Sequence, residues 1–127
     1  YNTASENALF CAAPRMGTYV AAKHAVLGLT ESLREDVPPH VHVGTMFPGW
    51  VHTAIGPENF MQFGMDADRF AAIVVPQLLA RERFVVSHRS NVRRISERMD
   101  PLLGTYETFA ERDEMDVRDW IEAMRKR

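Results

Sequence analysis

The stretch that decides the fold is TYVAAKHAVLGLTESLRED, residues 18–36, followed by VPPHVHVGTMFPG, residues 37–49. In the first part apolar residues recur at helical spacing, which predicts a helix over residues 18–36. The helix ends there because the pair Pro38-Pro39 cannot continue it. In the second part HVHVGTMF alternates and is partly β-branched, which predicts a strand over residues 40–47.

Shorter patterns on either side extend this alternation. Residues 1–5 are predicted to end a strand, and residues 83–87 (RFVVS) to form a short buried strand. A helix is predicted over residues 66–82, with Asp66 as its N-cap. Pro76 lies inside that helix and is expected to kink it or split it in two.

The polar tail completes the order of elements. Residues 91–127 are predicted to be mostly helix, interrupted at Pro101 and Gly104. The chain then reads strand, helix, strand, helix, strand, helix, which predicts an α/β fold with a parallel sheet flanked by helices. Three strands form only part of such a sheet, so at least one strand edge is expected to lie open beside a partner segment.

The composition is that of an ordinary globular domain. Hydrophobic residues make up 46% and charged residues 25% of the 127, which argues against disorder and for one domain. A net charge of −2 lacks the basic excess typical of nucleic-acid binding. No charged segment leads into an apolar stretch, no run approaches about 20 apolar residues, and Cys11 is the only cysteine of the 127 residues. We therefore expect a cytoplasmic protein that contacts neither nucleic acid nor membrane.

Tyr19 and Lys23 stand four residues apart and therefore on one face of the predicted helix. A positive charge beside a phenol favours the ionised form, so such a tyrosine can pass a proton to or from a substrate oxygen. Lys23 is one of only two lysines among fifteen basic residues, the other being Lys126. A compact ammonium can bridge to sugar hydroxyls in a way that a planar guanidinium cannot copy. The alternative is a surface pair worth about 0.2–0.5 kcal/mol.

Four features, in this order, resemble the active-site region of the short-chain dehydrogenase/reductases. They are NTAS at residues 2–5, YVAAK at 19–23, HAVLGLTESLR at 24–34 and FPGWVHT at 47–53. The last is similar to the family's P-G-x-x-x-T turn. The resemblance covers residues 1–88 well and the tail only loosely, and it implies a partial Rossmann-like, doubly wound α/β domain.

The resemblance also implies a role for each matching residue. Tyr19 is the general acid/base, Lys23 holds the nicotinamide ribose hydroxyls, and Ser5 hydrogen-bonds the substrate oxygen at the carboxyl edge of the sheet. These roles suit the chemistry, because hydride addition to a carbonyl leaves an alkoxide that needs a proton donor and a hydrogen-bond donor. The nicotinamide end of the cofactor is lined by Pro48, Gly49, Val51 and Thr53.

Two departures from the family's pattern are small. Ser5 precedes Tyr19 by fourteen positions, one more than is common, and Ala22 stands where the family often has serine. A third departure matters more: the family's glycine-rich phosphate loop, its selector for NAD or NADP and its helix asparagine lie upstream of the tyrosine, and none is among these residues. We therefore expect residues 1–127 to be the carboxyl-terminal part of a single Rossmann-like domain, and to bind NAD or NADP weakly, or not at all, when isolated.

Taken together, the resemblance implies an NAD(P)-dependent oxidoreductase that interconverts an alcohol and a ketone or aldehyde. A truncated, non-catalytic remnant that acts as a binding or interaction module is the alternative. A third hypothesis is a related enzyme that uses the same Tyr19–Lys23 pair for epimerisation or dehydration. The extended sugar-nucleotide branch of the family has a longer carboxyl-terminal domain than this tail, so we do not expect membership of that branch.

Three further features bear on partners. The loop after Thr53 contains an apolar cluster that either covers a substrate with an apolar body or packs on neighbouring helices: Phe60, Met61, Phe63 and Met65. Small residues around Gly28 either pack on the chain's own sheet or, as the family commonly does, pair this helix in a homodimer or homotetramer. The five histidines lack ligand spacing, so no metal is expected.

Overall fold

The computed structural model describes residues 1–111 and 116–125. Its strands are β1 (Asn2–Thr3), β2 (Thr45–Phe47) and β3 (Phe84–Val86). Its helices are α1 (Gly17–Asp36), α2 (Glu58–Met61), α3 (Ala67–Leu79), α4 (Val92–Phe109) and α5 (Val117–Arg125). Single turns of 3₁₀ helix lie at Glu6–Ala8 and Arg89–Asn91. The predicted α/β fold class is confirmed; residues 112–115, 126 and 127 of the predicted tail helix lie outside the described residues.

The three strands form one parallel sheet in the order β1-β2-β3. Thr45 of β2 pairs with Asn2 on one side and with Phe84 on the other, so β2 is the central strand. Phe47 is buried beside Ala4 and Ala8 in the core. Because the strands run in the same direction, their carboxyl ends meet at one edge of the sheet, which is the edge that binds ligands in open α/β sheets.

Helix α1 agrees with its prediction and packs against β1 and the first 3₁₀ turn. The contact is fixed by Thr30, which is fully buried. Its Oγ1 accepts a hydrogen bond from Asn2 Nδ2 at 3.0 Å and donates one to the Val26 carbonyl at 2.7 Å. The bond between Thr30 and Asn2 holds α1, the predicted active-site helix, against β1, the strand that leads to Ser5.

Helix α3 runs without interruption through Pro76, so of the two predicted effects of this proline the split is wrong, and the kink stays a prediction. Asp66 caps the helix as predicted, its carboxylate accepting from the Arg69 N–H at 3.0 Å. The side-chain amide of Gln77 donates to the Val86 carbonyl at 2.8 Å and accepts from the Val86 N–H at 3.0 Å. These two hydrogen bonds to β3 stabilise α3 next to Pro76, which has no N–H and so removes one backbone hydrogen bond of the helix.

The predicted strand over residues 40–47 begins only at Thr45. The preceding residues form a turn, because the Val41 N–H donates to the Pro38 carbonyl at 2.9 Å and Arg34 Nε donates to the Val43 carbonyl at 3.1 Å. The strand predicted over residues 83–87 is present as β3, but only its central residue is buried.

The chain divides into two compact units, Tyr1–Ser96 and Glu97–Arg127. Helix α4 is continuous through Pro101 and Gly104, so the predicted interruptions there are wrong. Membership of a single domain by residues 1–127 stays a prediction. Among the described residues, no helix combines the length and the apolar character needed to cross a bilayer.

Candidate active site

The carboxyl edge of the sheet collects the segments that follow the three strands. Ser5 follows β1, Pro48 and Gly49 follow β2, and Ser87 follows β3. Hydrogen bonding continues beyond the strand ends: the Glu6 N–H donates to the Pro48 carbonyl at 3.1 Å, and the Gly49 N–H donates to Ser87 Oγ at 3.3 Å. Ser5 therefore lies next to Pro48 and Gly49, the residues at which the predicted nicotinamide turn begins.

Ser5 is 5% exposed, and its extended backbone caps the following 3₁₀ turn. Its Oγ accepts from the Asn7 N–H at 3.2 Å and donates to the Pro48 carbonyl at 3.5 Å. The second bond is longer than the usual O–H···O distance of about 2.7–2.8 Å and is correspondingly weak. The hydroxyl is thus held in place by its accepted bond, while its proton can be offered to another acceptor at little cost.

Tyr19 and Lys23 lie one turn apart near the start of α1. Lys23 Nζ lies 5.7 Å from the centre of the Tyr19 ring and donates to the Thr3 carbonyl at 3.4 Å. The Tyr19 side chain is 41% exposed. Lys23 therefore connects the phenol on α1 with the end of β1, two residues before Ser5.

The turn after β2 contains Val51 and Thr53, the other predicted cofactor contacts. Val51 forms a parallel bridge with Met65, and the His52 N–H donates to the Met65 carbonyl at 2.8 Å. A Cβ on Gly64 would lie 2.6 Å from the His52 nitrogen, so glycine allows this close approach. Within residues 1–111 and 116–125, no acceptor is bonded to the Val51 N–H, and the Thr53 hydroxyl only accepts, from the Ile55 N–H at 3.4 Å. Both residues keep a donor to offer.

A buried carboxylate, which no sequence motif indicated, lies directly behind this turn. Glu6 is 6% exposed, and Asn91 Nδ2 donates to its Oε2. A Cβ on Gly49 would lie 2.6 Å from Glu6 Oε2 and 2.6 Å from Cγ of His88. Ser87 Oγ, which accepts from Gly49, also lies 2.8 Å from His88 Nδ1. These residues enclose Gly49, and only a residue without a side chain fits among them.

Burial raises the pKa of the Glu6 carboxyl, and the hydrogen bond from Asn91 offsets part of the rise. The folded protein therefore holds this proton more tightly than the unfolded chain does. The stability that Glu6 contributes is fully present below its ordinary pKa of 4.5 and is lost as the pH rises through the raised pKa.

Glu6→Gln removes this ionisation while keeping an oxygen that can accept from Asn91. We expect the free energy of unfolding of the variant, relative to the wild type, to increase as the pH is raised above 4.5. Urea denaturation of both proteins at a series of pH values measures that difference. A difference that is constant over this range would contradict the assignment.

The apolar cluster after Thr53 divides into two parts. Met61 is buried, as the packing interpretation requires, whereas Phe60 and Phe63 are exposed, Phe63 by 72%. Their rings gather on Trp50, with centroids 4.5 Å and 6.4 Å from the Trp50 ring. The exposed aromatic cluster Trp50–Phe60–Phe63 therefore stands beside the predicted nicotinamide turn.

The histidines take part in separate contacts. His52 Nε2 lies 3.0 Å from Glu58 Oε1 and links the turn to α2, and His88 lies behind Gly49. In the described part of the chain, no three His, Cys, Asp or Glu side chains group as metal ligands would.

The chain is similar to known dehydrogenases over most of its length. A family model described as short chain dehydrogenase matches residues 2–62. The short-chain dehydrogenase RED2 of Pyricularia oryzae is 49% identical over 47 residues, which are 36% of this chain and 17% of that protein. A solved short-chain dehydrogenase structure from Novosphingobium aromaticivorans has a TM-score of 0.70 and 29% identity, covering 98% of this chain and 43% of that chain.

A second solved structure, a short chain dehydrogenase/reductase from Burkholderia phymatum in complex with NAD, has the same fold. Its TM-score is 0.66 at 21% identity, with 91% of this chain and 49% of that chain covered. The chain thus spans less than half of the length of each of these relatives. The family match makes residues 2–62 a segment of the short-chain dehydrogenase/reductase family, and the structural likeness to a solved member extends over almost the whole chain.

Proposed function

We propose that the carboxyl edge of the sheet and the start of α1 form the substrate side of a nicotinamide-dependent oxidoreductase that interconverts an alcohol and a ketone or aldehyde. The observation that carries the proposal is the position of Lys23, whose ammonium lies 5.7 Å from the Tyr19 ring and 3.4 Å from the Thr3 carbonyl. One cation thereby joins the proton-carrying phenol to the strand end that holds Ser5. That grouping suits acid–base chemistry at a single oxygen atom.

The residues after β2 fit the nicotinamide end of a dinucleotide. The free N–H of Val51 and the hydroxyl of Thr53 are donors of the kind that a carboxamide oxygen accepts. Lys23 uses one of its three donors on Thr3, which leaves two for ribose hydroxyls. Pro48 and Gly49 form the start of the same turn. When bound, the cofactor supplies or accepts the hydride.

In the direction of carbonyl reduction, the substrate oxygen gains negative charge as its carbon gains a hydride. Ser5 donates its weakly held proton in a hydrogen bond to this oxygen and keeps its accepted bond from Asn7, so it stabilises the charge without moving. Tyr19 transfers its phenolic proton to the oxygen, which yields the alcohol and leaves a phenolate beside the Lys23 ammonium. Solvent reaches the 41% exposed Tyr19 and restores the proton. Alcohol oxidation follows the same steps in reverse.

The aromatic cluster Trp50–Phe60–Phe63 favours a substrate with an apolar body. Three aromatic rings that remain exposed at the edge of the site gain free energy when an apolar group covers them. The contact between His52 and Glu58 connects α2, which contains Phe60, to the predicted nicotinamide turn. A substrate that packs on these rings would place its polar end towards Ser5 and Tyr19.

The proposal is tested with the full-length protein by following nicotinamide absorbance over matched pairs of alcohols and carbonyl compounds. Each pair should include a small aliphatic member and a bulky apolar member. We expect turnover with at least one pair, and a kcat/KM that is about tenfold or more higher for the bulky member, since one or two buried methylene groups contribute that much. Absence of turnover with every pair, although the cofactor binds, would contradict the oxidoreductase assignment.

A further inference from the structure

The amino edge of the sheet, opposite the proposed active site, carries a basic cavity of about 500 Å³. It lies where the turn before β2 meets the turn before β3, beside the last turn of α1. Its volume falls within the range of about 300–1,000 Å³ typical of small-molecule sites. The residues that line it are Arg34, Pro39, His40, Val41, His42, Val43, Arg81 and Arg83.

The described residues that line the cavity supply three guanidinium groups and two imidazoles but no carboxylate. Two of the three arginines are partly compensated by Glu31, which forms ion pairs with both Arg34 and Arg83. Burial acts to raise the pKa of Glu31, but the hydrogen bonds and charges of the two arginines outweigh it and leave that pKa lowered. One carboxylate thus faces two guanidinium groups, and Arg81 adds a third positive charge.

Arg34 has donors that the protein leaves unused. Its Nε donates to the Val43 carbonyl at 3.1 Å, which fixes the guanidinium plane. Its Nη1 forms the ion pair with Glu31 Oε2 at 2.6 Å. Its Nη2 is buried and has no hydrogen-bond partner within the described residues. A buried, unpartnered donor group on a guanidinium that is fixed in place suits an incoming anion.

Arg81 adds an independent observation. Its φ is 57°, in the left-handed region, at the position after the end of α3 where glycine is the usual residue. The side chain nevertheless lines the cavity, and it makes no hydrogen bond or ion pair within the described residues. An arginine in a glycine position, with its charge uncompensated at a basic cavity, is a backbone outlier of the kind that marks functional sites.

We propose that this cavity binds a small ligand that carries phosphate groups, separately from the proposed active site. The planar guanidinium of Arg34 would donate to two phosphate oxygens, and Arg81 and the histidines would contact the outer charge. The volume accommodates a diphosphate or a phosphorylated metabolite rather than a single phosphate ion. The site depends neither on Tyr19 nor on the cofactor turn, because it lies at the other end of the strands.

Isothermal titration calorimetry of the intact protein with inorganic pyrophosphate, at low ionic strength, tests the proposal. We expect one site with a Kd of roughly 0.1–1 mM, as for a few charge-assisted hydrogen bonds. Arg81→Gln should weaken binding by about fivefold or more. The matched control is Arg69→Gln, which makes the same charge change on the exposed first turn of α3, outside the cavity, and should change the Kd by less than about twofold.

A third variant reverses the direction of the effect. Glu31→Gln removes the carboxylate that competes for Arg34 and Arg83, so it should tighten pyrophosphate binding. Thermal unfolding of each variant verifies that it is folded. Absence of binding at about 10 mM pyrophosphate, or equal losses from Arg81→Gln and Arg69→Gln, would overturn the proposal, since the second result would mean a diffuse response to net charge.

Discussion

Replacing Tyr19 by Phe in the full-length protein is expected to lower kcat by about 10³-fold or more while leaving cofactor affinity within about twofold. General acid catalysis contributes about 10²–10⁴-fold to a rate, and phenylalanine keeps the ring but lacks the proton. Lys23 keeps its bond to the Thr3 carbonyl in the variant, so its ammonium stays available to ribose hydroxyls. Steady-state kinetics with a fluorescence titration of the cofactor measures both quantities.

Tyr106→Phe is the matched control. Tyr106 is an exposed tyrosine of α4 that belongs to the second compact unit, and removing its hydroxyl makes the same chemical change on a different helix. This variant should keep wild-type kcat and cofactor affinity. Full activity in Tyr19→Phe would falsify the assignment of the phenol as the proton carrier, and an equal loss in Tyr106→Phe would show that the effect is not local to α1.

Replacing Gly49 by Ala is expected to lower the free energy of unfolding by about 1–3 kcal/mol, the usual cost of an extra methyl group in a closed space. The methyl carbon would lie 2.6 Å from Glu6 Oε2 and from His88 Cγ, well inside contact distance. The backbone of Gly49 is not in the left-handed region, so the cost comes from crowding alone. Urea denaturation measures the change.

Gly28→Ala supplies a control of opposite sign. A Cβ on Gly28 meets no atom within 4 Å, and the residue lies in the interior of α1. Alanine should therefore raise the free energy of unfolding by about 0.5–1 kcal/mol through helix propensity. If Gly49→Ala left the free energy of unfolding unchanged, or raised it as Gly28→Ala does, the enclosure of Gly49 by the two side chains would be wrong.

Regular elements with a strong local pattern could be predicted from the sequence. Helix α1 has helical spacing and a proline pair after its end, and it agrees with prediction at both ends. The errors arose where a tertiary contact outweighed a local preference. Gln77 holds α3 together around Pro76 by bonding to β3, and Arg34 takes the carbonyl of Val43 that a longer β2 would need.

The candidate site shows the same division. Tyr19 and Lys23 share a helix face, so their proximity follows from helical geometry alone. The enclosure of Gly49 by Glu6 and His88 could not be predicted, because the two side chains are 82 positions apart and meet only when all three strands are aligned. The one available signal was Glu6, which directly follows Ser5 just after the end of β1. A serine followed by a glutamate is equally typical of an ordinary exposed loop. The roles of Ser5, Tyr19 and Lys23 stay predictions until the variants are measured.

The bond between Gln77 and β3 also bears on solubility. Along β3, the peptide groups of Val85 face β2, so those of Val86 face outward, where a foreign strand would add. The Gln77 carboxamide occupies both the N–H and the carbonyl of Val86, as a peptide group of a fourth strand would. This side chain therefore prevents a strand of another chain from pairing with β3 at Val86. It thereby protects an exposed strand edge from aggregation.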